Sequence, residues 1–533
     1  MQKLPQEIVN TIVDCLYEIS DSLDQDDAGP RVASLATVSR PWQHAIESHT
    51  LRHLRVKSPD LDKFASFLSS ASTPRLSLVQ ILEFDVILPA YSDDVCGDYE
   101  TDHDRTINSQ VASQCVSALL EIMSNSRWST NNRLRLRINI YSPMDGSHRG
   151  RDKLDKDRYA VNMGNRKDIF QDRYRYSYIS LSDTNYSVPC VTSLTPPQGT
   201  TRYLDPRSLV ALTATFPRLE SILWSYQEPG YFFTLRRQYL RDFSDALSGY
   251  RLPSTLKTLH IDIEAPDYPH SEKLPNLVEH DHSSTAHGSK SFCDALRVMI
   301  GESQSLNTFR YSGPVDPALL WNDCDTDEGV MGTAAIGSLT WTVIEDFSIF
   351  FDPASFSGQW YFKGLPEDQF YNETLDSPLP YDADGLEPPG YDEENTEAAI
   401  ALVESMGPLE DEDGFLVEES IFRRIPREEA FIPLLKAFAR RLATMPHLKR
   451  ALMESRLGQE GGDWFICYDA PGLKSGYEEF MEDPEGDDLS RARIFIHPAD
   501  WRPGEEVERL LKDVGKACHG QDSILTFLPF GLV

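Results

Sequence analysis

The feature that most constrains this chain is a rhythm. A helix-like stretch, a few residues containing Pro, Gly or Asn, and a short Leu-led strand follow one another again and again. Between Asp60 and Ala71, the apolar residues Leu61, Phe64, Phe67 and Leu68 keep helical spacing, and Leu82, Phe84, Val86 and Leu88 then alternate. Val111, Cys115, Leu119 and Ile122 lead in the same way to Leu134, Leu136, Ile138 and Ile140, a clean period of two. Pro206 to Phe216 leads to Leu219, Ile222 and Trp224; Phe232 to Leu247 leads to Leu256 through Ile263. Ser291 to Ile300 leads to Leu306, Phe309 and Tyr311, and Glu429 to Ala443 leads to Leu448, Ala451 and Met453. Two architectures produce this alternation: a solenoid of units that stack side by side, and a non-repeat α/β domain with parallel strands and crossover helices.

The best single unit, Leu256-Lys257-Thr258-Leu259-His260-Ile261-Asp262-Ile263, resembles a leucine-rich repeat. Leu219 to Leu256 spans 37 residues and Leu256 to Leu306 spans 50, with the next unit near Ile344. Regular leucine-rich repeats run about 20–29 residues, so these would be long and irregular. The expected fold class is therefore α/β, an irregular leucine-rich-repeat-like solenoid with parallel strands over 51–363.

Three segments break the rhythm. Residues 141–203 are rich in Asp, Arg, Ser, Tyr and Asn, and 266–290 hold His270, His280, His282 and His287 among polar residues; both read as insertions. From Gly364 to Phe422 there is no Lys or Arg against eighteen Asp and Glu, so 364–428 reads as an acidic flexible linker. Order returns over 429–533, an α/β continuation. Strands at Trp464–Tyr468, Ala492–Ile496 and Ile524–Leu528 and a helix from Pro503 read there as a C-terminal capping sheet.

The N-terminus differs from all of this. Leu4, Ile8, Ile12 and Leu16 fall at i, i+4, i+8 and i+12, with Val9 and Val13 beside them. Pro5 and Glu7 suit the first turn of a helix. A second apolar stretch ends at Ser39-Arg40-Pro41-Trp42, where Pro41 disfavours helix through Arg40 and can open a new one. Leu4-Pro5-x-Glu7-Ile8, then Leu35-Ala36-x-Val38-Ser39-Arg40-x-Trp42, resembles an F-box of three helices over residues 1–50. The chain as a whole is similar to large F-box proteins of filamentous fungi. It departs from the family pattern in the long acidic stretch from Tyr17 to Arg31.

That resemblance implies a substrate-recognition subunit of an SCF-type ubiquitin ligase. The F-box would dock on a Skp adaptor, and through it cullin, while the body holds a protein target. Leu4, Pro5, Ile8, Ile12, Leu16, Leu35, Val38 and Trp42 would form the core and adaptor-facing surface. Burying five large side chains at ~1.5–3 kcal/mol each gives a gross gain on the order of 10 kcal/mol, part of which association and ordering consume. The odd positions between strand leucines, among them Glu220, Lys257, His260, Asp262 and Arg310, would face the target.

Composition narrows the alternatives. A net charge of −33 argues against a nucleic-acid backbone binder and suits a basic partner. No run approaches twenty apolar residues, and no signal-peptide pattern opens the chain, so no membrane partner and a cytoplasmic or nuclear location are expected. Eight cysteines spread singly read as free thiols. There is no nucleophile elbow, P-loop, dinucleotide fingerprint or His-Glu-x-x-His, so neither catalytic residues nor a cofactor are expected. Glu279-His280-Asp281-His282 with His287 lies in a polar loop with nothing to pre-organise it, and no metal is assigned there. The competing reading is an α/β scaffold or enzyme whose N-terminal helices are not a functional F-box.

Overall fold

The computed structural model describes the chain outside residues 1–3, 23–31, 33, 71–72, 93–94, 96–97, 129–132, 146–172, 198–201, 265–271, 275, 278–290, 322–340, 365–376, 379–384, 393–395, 406–422, 458–462, 475–487, 498–500 and 529–533. Helices α1 (Gln6–Ser22) and α2 (Arg40–Thr50) precede a long alternation of strands and helices. The strands of the main sheet are β1 (His53–Lys57), β2 (Ile81–Ile87), β3 (Leu134–Tyr141), β4 (Val191–Thr195), β5 (Ser221–Gln227) and β6 (Thr258–Glu264). They continue as β7 (Thr308–Gly313), β8 (Asp346–Phe351), β9 (Arg450–Arg456), β10 (Asp463–Asp469), β11 (Arg493–His497) and β12 (Ile524–Phe527). Interleaved are α3 (Leu61–Ser70), α4 (Asp102–Ser124), α5 (Pro206–Ala214), α6 (Phe233–Gly249), α7 (Phe292–Gly301), α8 (Thr396–Ser405), α9 (Glu428–Leu442) and α10 (Glu505–His519).

All twelve strands form one sheet whose spatial order is their order in the chain. Each neighbour from β1 to β9 pairs in parallel. The fold is thus α/β with a large, mostly parallel sheet. Strand β10 pairs antiparallel with both β9 and β11. The few residues between Arg456 and Asp463 are too short for a crossover, which needs a dozen or more. Strands β11 and β12 are parallel again, joined through α10. The C-terminal strands therefore extend the main sheet instead of closing the chain with a separate one. Strand β4 lies inside the stretch read as an insertion at 141–203, between β3 and β5.

Alternation along each strand sorts the two faces. Leu82, Phe84 and Val86, then Leu259, Ile261 and Ile263, then Phe347, Ile349 and Phe351 enter one continuous core. Phe64 of α3, Leu119 of α4, Leu209 of α5, Phe243 of α6, Leu296 of α7, Phe431 of α9 and Leu511 of α10 enter the same core, so these helices cover one face of the sheet. The other face is mostly polar. At its C-terminal end it carries an apolar cluster of Phe465, Cys467, Phe495 and Leu528. Local signals fix several helix starts. Thr101 Oγ1 accepts from Asp104 N–H at 3.2 Å while Asp104 accepts from Thr101 N–H at 3.1 Å. Asp205 and Ser291 cap α5 and α7 through Ser208 N–H and Asp294 N–H.

Part of the acidic stretch is packed on the body. Ala399 and Leu402 of α8 belong to the core, and the Arg105 guanidinium lies 3.5 Å from the Tyr391 ring centre. Tyr391 donates to Tyr176 O at 2.8 Å. Gly390, at φ +81°, approaches so closely that a Cβ there would meet Glu100 O at 2.2 Å.

Candidate functional site

Helices α1 and α2 form a small unit with its own core of Val9, Val13, Ala45 and Ile46, and Tyr17, Leu35, Ala36 and Trp42 pack around it. In the expected middle helix, Val32 and Ser34 are helical, and a 3₁₀ turn follows over Leu35–Thr37. Polar contacts lock the pair at both ends. Gln6 Nε2 donates to Pro41 O at 3.0 Å. The His49 ring stacks on Tyr17 at 4.6 Å, and its Nε2 meets Asp14 Oδ1 at 2.5 Å. Arg75 ties the unit to the body, donating to Glu47 at 2.6 and 3.0 Å. That guanidinium holds the Glu47 carboxyl below its usual pKa range.

The apolar residues of α1 divide into two stripes. Val9 and Val13 point inward and are 1% and 0% exposed. Leu4, Ile8 and Ile12 point outward, at 52%, 47% and 36% exposure, and Val38 is 61% exposed. Among the described residues these are four of the five exposed large hydrophobic side chains, the fifth being Leu489. Of the other residues named for adaptor docking, Pro5 is exposed, while Leu16, Leu35 and Trp42 are half-buried and Leu35 and Trp42 lean on the inner core. The structure thus brings Leu4, Ile8 and Ile12 into one exposed row and gives Trp42 a packing role.

The target-facing residues named from the sequence separate too. Glu220 and Lys257 pair at 3.1 Å, and Arg133 donates to the same carboxylate. His260, Asp262 and Arg310 line a pocket of about 330 Å³ on the polar face, with Ser312, Phe350, Asp352 and Glu454. Sequence reading missed the last four: Ser312 lies two residues past Arg310 on β7, while Phe350, Asp352 and Glu454 come from β8, the residue after it, and β9, far along the chain from His260 and Asp262. Burial pushes the His260 imidazole pKa down against the pull of Asp262. The Glu279–His287 cluster lies outside the described residues, and among the described residues no three His, Cys, Asp or Glu side chains gather as metal ligands. No helix among them is long and apolar enough to cross a membrane. No protein-family model matches this chain, and no curated protein matches it either.

Proposed function

We propose that this chain is a substrate receptor of an SCF-type ubiquitin ligase, docking to a Skp adaptor through α1 and the segment ending at Trp42. The observation that carries this reading is the outward row Leu4, Ile8, Ile12, flanked by Val38. With Leu489 the one other exposed large hydrophobic side chain among the described residues, such a row on a helix is the form of a surface made to be covered. The body serves as target holder, an irregular leucine-rich-repeat-like solenoid without an active site of its own. Strand order that follows chain order, and helices confined to one face, support the solenoid reading.

A pull-down tests it. The full chain should capture a Skp adaptor, and Ile8→Ala with Ile12→Ala should weaken capture at least about tenfold, given ~1.5–3 kcal/mol for each large aliphatic side chain fully buried. A wild-type chain that captures no adaptor, or a double variant that captures it equally well, ends this reading.

A further inference from the structure

Residues 386–392 and α8 are attached to the body without being part of its sheet. The chain leaves the body at Phe362–Lys363 and rejoins it at Ile425–Pro426, and these two pieces pair antiparallel, so departure and return lie side by side. Among the described residues between them, Ser377–Pro378 pairs with Glu272–Lys273, and none adds a strand to the main sheet. Undocking 386–392 therefore asks for no change in the twelve strands. What holds it is centred on Tyr391. The Arg105 guanidinium lies 3.5 Å from its ring centre, its hydroxyl donates to Tyr176 O at 2.8 Å, and the Tyr239 hydroxyl donates to it. Pro388 and Pro389 are buried beside it. The walls of this socket hold one another without Tyr391. Arg105 also donates to Glu100 O at 2.9 Å and to Asp102 at 3.4 Å, and Tyr178 donates to Gln227 O at 2.6 Å. Tyr178 packs edge-on against Tyr239 at 4.8 Å, and Tyr176 edge-on against Phe232 at 5.0 Å. A cation for the ring face, a carbonyl acceptor and a hydroxyl donor converge there, which is the recognition set of a phenol.

We infer that residues 386–392 are an internal ligand: Tyr391 fills a preformed socket for a Gly-Tyr segment of a partner protein and keeps that segment out while it is docked. The order Gly-Tyr follows from the site. The residue before the tyrosine has φ +81°, and a Cβ on it would collide with Glu100 O, so glycine alone fits there. The ring then meets Arg105, and the hydroxyl reaches Tyr176 O and Tyr239. Because it is tethered, the chain's own segment competes at an effective concentration on the order of millimolar. A partner gains the socket when it out-competes that tether or when the segment is released. The socket does not depend on the adaptor-docking reading.

The test uses the full chain and a labelled peptide of residues 385–392 in fluorescence anisotropy. The wild-type chain should bind it weakly, and Tyr391→Ala, whose socket is vacated, at least about tenfold more tightly, with circular dichroism unchanged. On the Tyr391→Ala chain, a peptide carrying Tyr391→Phe should bind about tenfold more weakly than the parent, through the loss of its hydroxyl bonds, and one carrying Gly390→Ala should not bind measurably. In the wild-type chain, amide exchange should be faster in α8 than in α4 and α6, and this decides the matter even if Tyr391→Ala fails to fold. Equal peptide binding by wild type and Tyr391→Ala, indifference to both peptide changes, or α8 amides as slow as those of α6 overturns the inference. Adaptor capture by Tyr391→Ala should stay at the wild-type level, so either idea can fail alone.

Discussion

Arg202 shows how the two ends of the 141–203 stretch are joined. Its guanidinium is fully buried and faces two buried carboxylates, Glu100 and Asp145. It donates to Asp145 at 3.1 and 3.3 Å and also to Glu100, while Tyr91 donates to Asp145 and Asn108 to Glu100, each at 3.1 Å. Its backbone N–H donates to Ile140 O, so the network ties the segments after β2 and β3 to the return of the chain before α5. Removing one member of such a set leaves charge buried without its partner. Arg202→Ala should therefore destabilise the protein by about 3–5 kcal/mol, read as a lower urea midpoint. A midpoint unchanged within error would mean that the network adds nothing to stability. Composition alone did not reveal this triad, because Glu100, Asp145 and Arg202 look like three more charges in a chain with many.

At the scale of the element, α1 is the part where sequence said most and still left a choice. Leu4, Ile8, Val9, Ile12 and Val13 are all apolar, and a helix of that composition offers two adjacent stripes. Which one faces in depends on where α2 lies, and that depends on Pro41 and on the contact of His49 with Tyr17 and Asp14, which no periodicity encodes. The stripe that matched the family pattern is the outer one. Replacing an inner residue should thus affect folding, and replacing an outer one should affect docking. Val13→Ala removes two buried carbons and should cost about 2 kcal/mol in the α1–α2 unit, seen as faster amide exchange in α1 and α2. Ile8→Ala should leave that exchange unchanged. The reverse pattern would mean that the stripes have been assigned the wrong way round.

Across the whole molecule, the α/β rhythm was legible because each strand has to place alternate large apolar residues against helices: 82–88, 134–140, 219–224, 256–263 and 306–311 all contribute strands to the sheet. Strand β4 was not legible. It is five residues long and inserts only Val191 and Leu194 into the main core, too little to stand out in a stretch of Ser, Tyr and Asn. The antiparallel β10 was hidden for another reason, since pairing direction depends on connection length more than on strand composition. A sheet built in chain order has a consequence that a shuffled one lacks. Each strand and its helix touch mainly the preceding and following units, so stability accumulates by neighbour contacts and falls toward the ends. Among the described residues, strand β1 has a strand partner on one side only, and so has β12, whose residues are all half-buried. Native-state hydrogen exchange should show the slowest amides in β5 to β8 and progressively faster ones toward β1 and β12. The N-terminal slope should be shallower, because α2 runs directly into β1 and Arg75 braces it through Glu47. Uniform protection across all twelve strands would instead mark one cooperative body, and the nearest-neighbour account of this sheet would fail.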